Sequence, residues 1–146
     1  MSDLTVVLNL LIAFILGGAI GWLREHEGKV AGLRTHVLVA VGSALFMIIS
    51  AQMMIMSGGA DPGRIAAGVV TGIGFIGAGC ILQAQQEVRG ITTAASIWVT
   101  SAIGMATGMG FYSGAVAATA ITVLTLRLLR EVETKVIKTK GHHHEG

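Results

Sequence analysis

The residues of this chain that could do chemistry fall in three short stretches. Arg24 closes the first apolar run, Arg34, Thr35 and His36 stand in GLRTH (Gly32 to His36), and Arg89, Thr92 and Thr93 stand in VRGITTAAS (Val88 to Ser96). Guanidinium groups pair with carboxylates or phosphates through parallel N–H donors, and hydroxyls and an imidazole add further donors. This is the chemistry of ion pairing and anion binding. Arg34 and Arg89 also sit just before or within the first turn of an apolar segment, where a cation opposes the helix dipole by about 0.3–1 kcal/mol. Something must offset that cost. Three readings stand open: arginines that fix orientation and touch lipid headgroups, an ion-pair network with Glu25, Glu27 or Glu87, or a site for a ligand or partner.

Other groups read more simply. Thr92, Ser96 and Thr100 recur at i, i+4 and i+8, making one helix face polar. Such hydroxyls bond back to the i−4 carbonyl or to a neighbouring helix; a hydrated solute path along them is the alternative. Asp61-Pro62 reads as an N-cap and first helical residue. Cation capture there would rest on one carboxylate, whereas Mg²⁺ takes one or two plus waters. His142, His143 and His144 read as a flexible terminal tract, with weak transition-metal binding as the alternative. The HEG at His26 lacks the second histidine of a HExxH zinc helix. Cys80 is the only cysteine, so neither an internal disulfide nor a cysteine metal motif can form. No Ser-His-Asp set, paired aspartate or phosphate loop stands in the chain. The expectation is a protein that is not an enzyme and uses no metal or cofactor.

The elements that must position these residues are apolar helices. The chain has 146 residues, 53% hydrophobic and only 12% charged, with a mean hydropathy of +0.75. Soluble domains carry about twice that charge fraction, and the apolar runs approach the roughly 20 residues that cross a bilayer. The pI near 9.0 comes from basic residues beside apolar runs, which fits orientation in a membrane and not a nucleic-acid face. The fold expected is an all-α membrane bundle of five transmembrane helices, over about residues 4–23, 35–56, 64–83, 91–109 and 112–129. Residues 1–130 form the transmembrane domain and 131–146 a short basic cytoplasmic tail, where Glu131 and Lys135 are placed for an i,i+4 pair. Only Gly110 and Phe111 separate spans four and five, so these form an antiparallel hairpin. QAQQEVRG is read as a polar loop.

Charge sets the orientation. With the N-terminus outside, Arg24, Lys29, Arg34, Arg89, Arg127, Arg130, Lys135, Lys138 and Lys140 lie inside, and only Arg64 lies outside. That asymmetry is the positive-inside pattern, and it requires an odd number of spans. No span carries a carboxylate near its middle, as a proton-coupled pump would require.

The third span is unusual. Ile65 to Leu82 has no charge, and Gly68, Gly72, Gly74, Gly77 and Gly79 crowd into it. In water each glycine would weaken a helix by about 1 kcal/mol against alanine. In lipid the helix must still form, and glycines let neighbouring backbones approach. The expectation is a central helix packed on several sides. Gly17 with Gly21 gives span one a similar stripe, and Gly104 with Gly108 and Gly110 with Gly114 offer more. These are available either to the bundle or to a homodimer.

Three motifs, REHEGKVAGLRTHVLVAVGSALF, GIGFIGAG and VRGITTAASIWVTSAIGMATG, closely resemble the MgtC/SapB family of bacterial inner-membrane proteins, in order over roughly residues 8–130. The resemblance implies a multi-pass inner-membrane protein and makes Arg24, Arg34, Thr35, His36, Arg89, Thr92 and Thr93 a functional inner face. It implies a regulator of growth or virulence at low magnesium that acts by contact with membrane partners, in some members the F-type ATP synthase. A transporter or channel for Mg²⁺ or another small ion is the alternative. Two departures limit the transfer. Leu23 stands where family members commonly have a glutamate before the arginine, leaving Glu25 as a candidate partner for Arg24. The chain also reads as a short form without the soluble C-terminal domain of many members.

Overall fold

The computed structural model describes residues 2–58, 61, 63–84 and 87–141, with 82–84, 87 and 129–141 described by backbone alone. It is all-α apart from one small hairpin. The order is α1 (Asp3–His26), α2 (Leu33–Ser57), α3 (Gly63–Gly79), β1 (Leu82–Ala84), β2 (Glu87–Arg89), α4 (Ile91–Gly108) and α5 (Tyr112–Gly141).

Local chemistry sets the ends. The Ser2 hydroxyl accepts the Thr5 N–H at 3.3 Å to cap α1, and Asp3 adds a negative charge in its first turn. The start of α2 is capped from outside itself: the Glu25 carboxylate on α1 accepts the Leu33 N–H at 2.8 Å. Gly58 ends α2 in the left-handed region at φ +67°. Asp61 accepts the Gly63 N–H at 2.8 Å, as the expected cap does; Pro62 lies outside the described residues.

Close approach of small residues joins α1, α2 and α4. A Cβ on Gly17 would lie 2.6 Å from the Ala40 Cβ, and one on Gly21 would lie 2.7 Å from the Leu33 Cα. On α4, a Cβ at Gly104 would overlap the Ala40 carbonyl, and one at Gly108 would overlap that of Ala44. Ala13, Ala40 and Ala44 form one fully buried cluster in this seam; Ile20, Ile103 and Ala115 form another, which brings in α5. The pairing of Gly17 with Ala40 and Gly21 with Leu33 makes α1 and α2 antiparallel. Asn9 near Gly108, with Arg24 near Thr93, makes α1 and α4 antiparallel too. The turn through Met109, Gly110 (φ +77°) and Phe111 reverses the chain into α5, as the expected hairpin of spans four and five requires.

Three expectations are corrected. The helix after Pro62 ends at Gly79, not near Gln83, and QAQQEVRG is not simply a loop: Leu82–Ala84 pairs antiparallel with Glu87–Arg89. Gly90, at φ +95°, then turns the chain so tightly that a Cβ would overlap the Cys80 carbonyl. Nor is α3 central within one copy of the chain. A Cβ on Gly68, Gly72, Gly74 or Gly79 would meet nothing within 4 Å, and Gly77 makes only ordinary contact with Ala94, 3.5 Å away. Phe75 is 85% exposed. The glycines permit close approach, but α3 buries only Ile73 and Gly77, and Gly68 and Gly72 line an open groove toward α2 without meeting it. The Glu131–Lys135 pair and the histidine tract lie outside the described side chains.

Candidate functional site

Polar side chains line the inside of the seam from end to end. At one end, Asn9 is 1% exposed; its amide donates to the Gly108 carbonyl at 3.4 Å and its carbonyl accepts the Tyr112 hydroxyl at 2.5 Å. In the middle, Ser43 and Ser101 share a hydrogen bond at 2.8 Å. Thr100 and Thr107 donate to the Ser96 and Gly104 carbonyls of their own helix, both at 2.7 Å.

At the other end stands Arg24, only 3% exposed. One guanidinium nitrogen donates to Glu27 Oε2 at 3.1 Å and another to Thr93 Oγ1 at 2.8 Å. The acidic partner is therefore Glu27, three residues on and on the same helix face. Glu25 is the partner of the Leu33 N–H instead. Next to this pair, His36 is fully buried. Its Nδ1 lies 2.8 Å from the Gly32 carbonyl, which can only accept, so Nδ1 carries a proton. Its Nε2 lies 3.0 Å from Ser96 Oγ, and that hydroxyl is also 2.8 Å from the Thr93 carbonyl. Beside a neutral ring, one hydroxyl proton thus faces two acceptors, and the chain Arg24–Thr93–Ser96–His36 ties the ends of α1, α2 and α4 together.

A pocket of about 460 Å³ opens beside Arg24. Glu27 and Lys29 contribute from the end of α1 and its connection, Gly90, Ile91, Thr92 and Thr93 from the start of α4, and Thr125 and Leu126 from α5. Of the seven residues expected to form an inner-face cluster, Arg24, Thr92 and Thr93 meet here. His36 joins them through Ser96. Arg34 and Arg89 are exposed, Thr35 is half-buried, and none of the three lines the pocket. The expected polar stripe also divides: Ser96 and Thr100 are buried and bonded, whereas Thr92 is exposed at the pocket. Lys29, Thr125 and the Asn9–Tyr112 pair escaped sequence reasoning. Asn9, an isolated amide in an apolar run, was the one signal available.

These features define an all-α bundle in which α1 and α2 are long and apolar enough to cross a membrane, with a charged pocket at one end. The chain belongs to the MgtC family, whose profile matches residues 10–135. It is 48% identical over 141 residues to the "Putative magnesium transporter YhiD" of Escherichia coli K12, covering 93% of this chain and 66% of that protein. It is 45% identical over 131 residues to Protein MgtC of Salmonella typhimurium LT2, covering 89% and 54%. Against Protein MgtC of Brucella abortus it is 46% identical over 118 residues, covering 81% and 48%. The chain thus spans from about half to two thirds of the length of these relatives. No solved structure matches it significantly.

Proposed function

We propose that this chain is a five-span bacterial inner-membrane protein, N-terminus outside and C-terminus cytoplasmic, that acts without catalysis. In this reading it supports growth or virulence at low magnesium through contact with membrane partners, the F-type ATP synthase among them. Family membership supports the magnesium link. The lengths of α3, α4 and the apolar part of α5 support the span count: at 1.5 Å per residue, 17–18 residues reach about 26 Å. Outward-facing Phe14, Ile15, Phe75, Trp98 and Ile121 give a surface suited to lipid. Arg24, Lys29, Arg34, Arg89 and Arg127 share one end of the bundle, which supports that end as cytoplasmic.

The observation that carries the regulator reading is the closed polar interior. Ser43, Ser96, Thr100, Ser101 and Thr107 are buried and bonded to one another, to His36 or to helix carbonyls. Mg²⁺ needs oxygens in octahedral array and sheds its waters reluctantly; these hydroxyls are already engaged, and a buried arginine stands at one end. The name of the YhiD relative favours a second reading, transport of Mg²⁺. Reconstitution in liposomes with an internal Mg²⁺ dye separates the two. No flux above empty liposomes, from folded and inserted protein, is the expected result. Saturable flux would overturn the regulator reading and establish transport.

A further inference from the structure

We propose that the pocket beside Arg24 binds the phosphate group of an anionic phospholipid. Its volume, about 460 Å³, lies within the roughly 300–1,000 Å³ typical of small-molecule sites. Two cations, Arg24 and Lys29, line it against one carboxylate, Glu27. Arg24 is held rigidly by its bonds to Glu27 and Thr93, so its charge is fixed before any ligand arrives. The hydroxyls of Thr92 and Thr125 add donors from two further helices. The first turn of α4 forms one wall, adding the positive end of an 18-residue helix to a pocket already cationic.

The rest of the lining argues for a lipid source. Val88 and Ile91 are 55% and 60% exposed at the same opening, with Leu126 beside them. A phosphate with apolar substituents covers these side chains; a free phosphate leaves them in water. The pocket also lies at the end of α1, where the apolar run stops and headgroups would begin. Soluble phosphate shares the chemistry and is distinguished by experiment. The lipid source rests on the membrane-spanning reading above, and the site itself on neither regulation nor transport.

The test is native mass spectrometry of the full chain in mild detergent, with phosphatidylglycerol, phosphatidylcholine or inorganic phosphate added separately. Wild-type protein is expected to retain phosphatidylglycerol over phosphatidylcholine. Thr92→Glu is the decisive variant: a carboxylate at the second position of α4 suits the helix dipole, so folding is retained, yet it repels a phosphate. It should weaken retention at least about tenfold, and Lys29→Gln should weaken it severalfold. Arg64→Gln, at the far end of the bundle, should bind as wild type. Retention of inorganic phosphate alone, lost in Thr92→Glu, would uphold the phosphate site and overturn its lipid source. Equal retention of both lipids, or undiminished binding by Thr92→Glu, would overturn the site.

Discussion

The chain contains two glycine-bearing surfaces that look alike in sequence and behave oppositely in the fold. On the α1/α2/α4 seam, Gly17, Gly21, Gly104 and Gly108 admit a neighbouring backbone where any side chain would collide. On α3, four of the five clustered glycines meet nothing in their own chain. The difference lies in what stands opposite. Gly17 and Gly104 both approach Ala40, and Gly108 approaches Ala44, so small residues meet small residues at one crossing. Across from Gly68 and Gly72, Leu38, Phe46 and Gly42 leave an apolar groove of about 620 Å³ between α2 and α3. Glycine density therefore marks where approach is allowed; the partner's profile decides whether it occurs.

The largest way to break the seam is at its charged end. Arg24→Ala would remove the cation 3.1 Å from Glu27, whose side chain is 6% exposed. Losing one partner of a buried pair costs about 3–5 kcal/mol, so the variant should unfold at markedly lower temperature or denaturant. Arg34→Ala, at an exposed arginine, should leave stability within about 0.5 kcal/mol of wild type. Equal losses in the two would mean that the Arg24–Glu27–Thr93 cluster does not anchor the bundle.

A smaller effect tests the crossing itself. Gly104→Ala places a Cβ into the Ala40 carbonyl, with the Ala40 Cα 2.9 Å away. Backbone cannot yield as a flexible side chain does, and overpacking of this kind costs about 1–3 kcal/mol. Thermal unfolding followed by circular dichroism in detergent reads it directly. An unchanged midpoint would show that α2 and α4 are not in contact at Ala40.

Much of this arrangement was legible in the residues. Apolar runs separated by Gly, Asp-Pro and charge gave five helices, and Gly110-Phe111 marked the reversal into α5. Arg24 and Thr93, 69 positions apart, belong together once spans one and four are antiparallel. Helix geometry alone separates Glu27 from Glu25, since three residues bring a side chain back to the face of Arg24 and one residue does not. What stayed hidden depends on tertiary context. In an apolar surrounding, hydrophobic residues lie on both the inside and the outside of a helix, so hydropathy cannot tell central α4 from peripheral α3. The short hairpin alternates apolar and polar residues over only three positions in each strand, Leu82–Ala84 and Glu87–Arg89, too few to announce it. Its strands pair because α3 and α4 already meet at Gly77–Ala94 and Cys80–Gly90. The bond between Asn9 and Tyr112 joins positions 103 apart and has no local signature beyond the lone amide.

The smallest expected effect sharpens the comparison most, because two explanations of α3 share its sign on stability and differ in the mass they expect. If the open face of α3 only meets lipid, Gly72→Ala adds a methyl group where nothing stands within 4 Å and replaces a poor helix former by a good one. Stability should then rise by up to about 1 kcal/mol, with no change in mass by light scattering in mild detergent. If instead a second copy packs there, in the homodimer that the glycine stripes allow, the same methyl intrudes between two backbones. Dimer would then be lost in favour of monomer while the unfolding midpoint of the monomer still rises. Gly68→Ala, one turn earlier on α3 and lining the same groove, should repeat whichever pattern Gly72→Ala gives. The opposite response of Gly104→Ala in the same assay keeps the two surfaces distinct: there the methyl meets a backbone of its own chain, and no choice of partner or detergent relieves it.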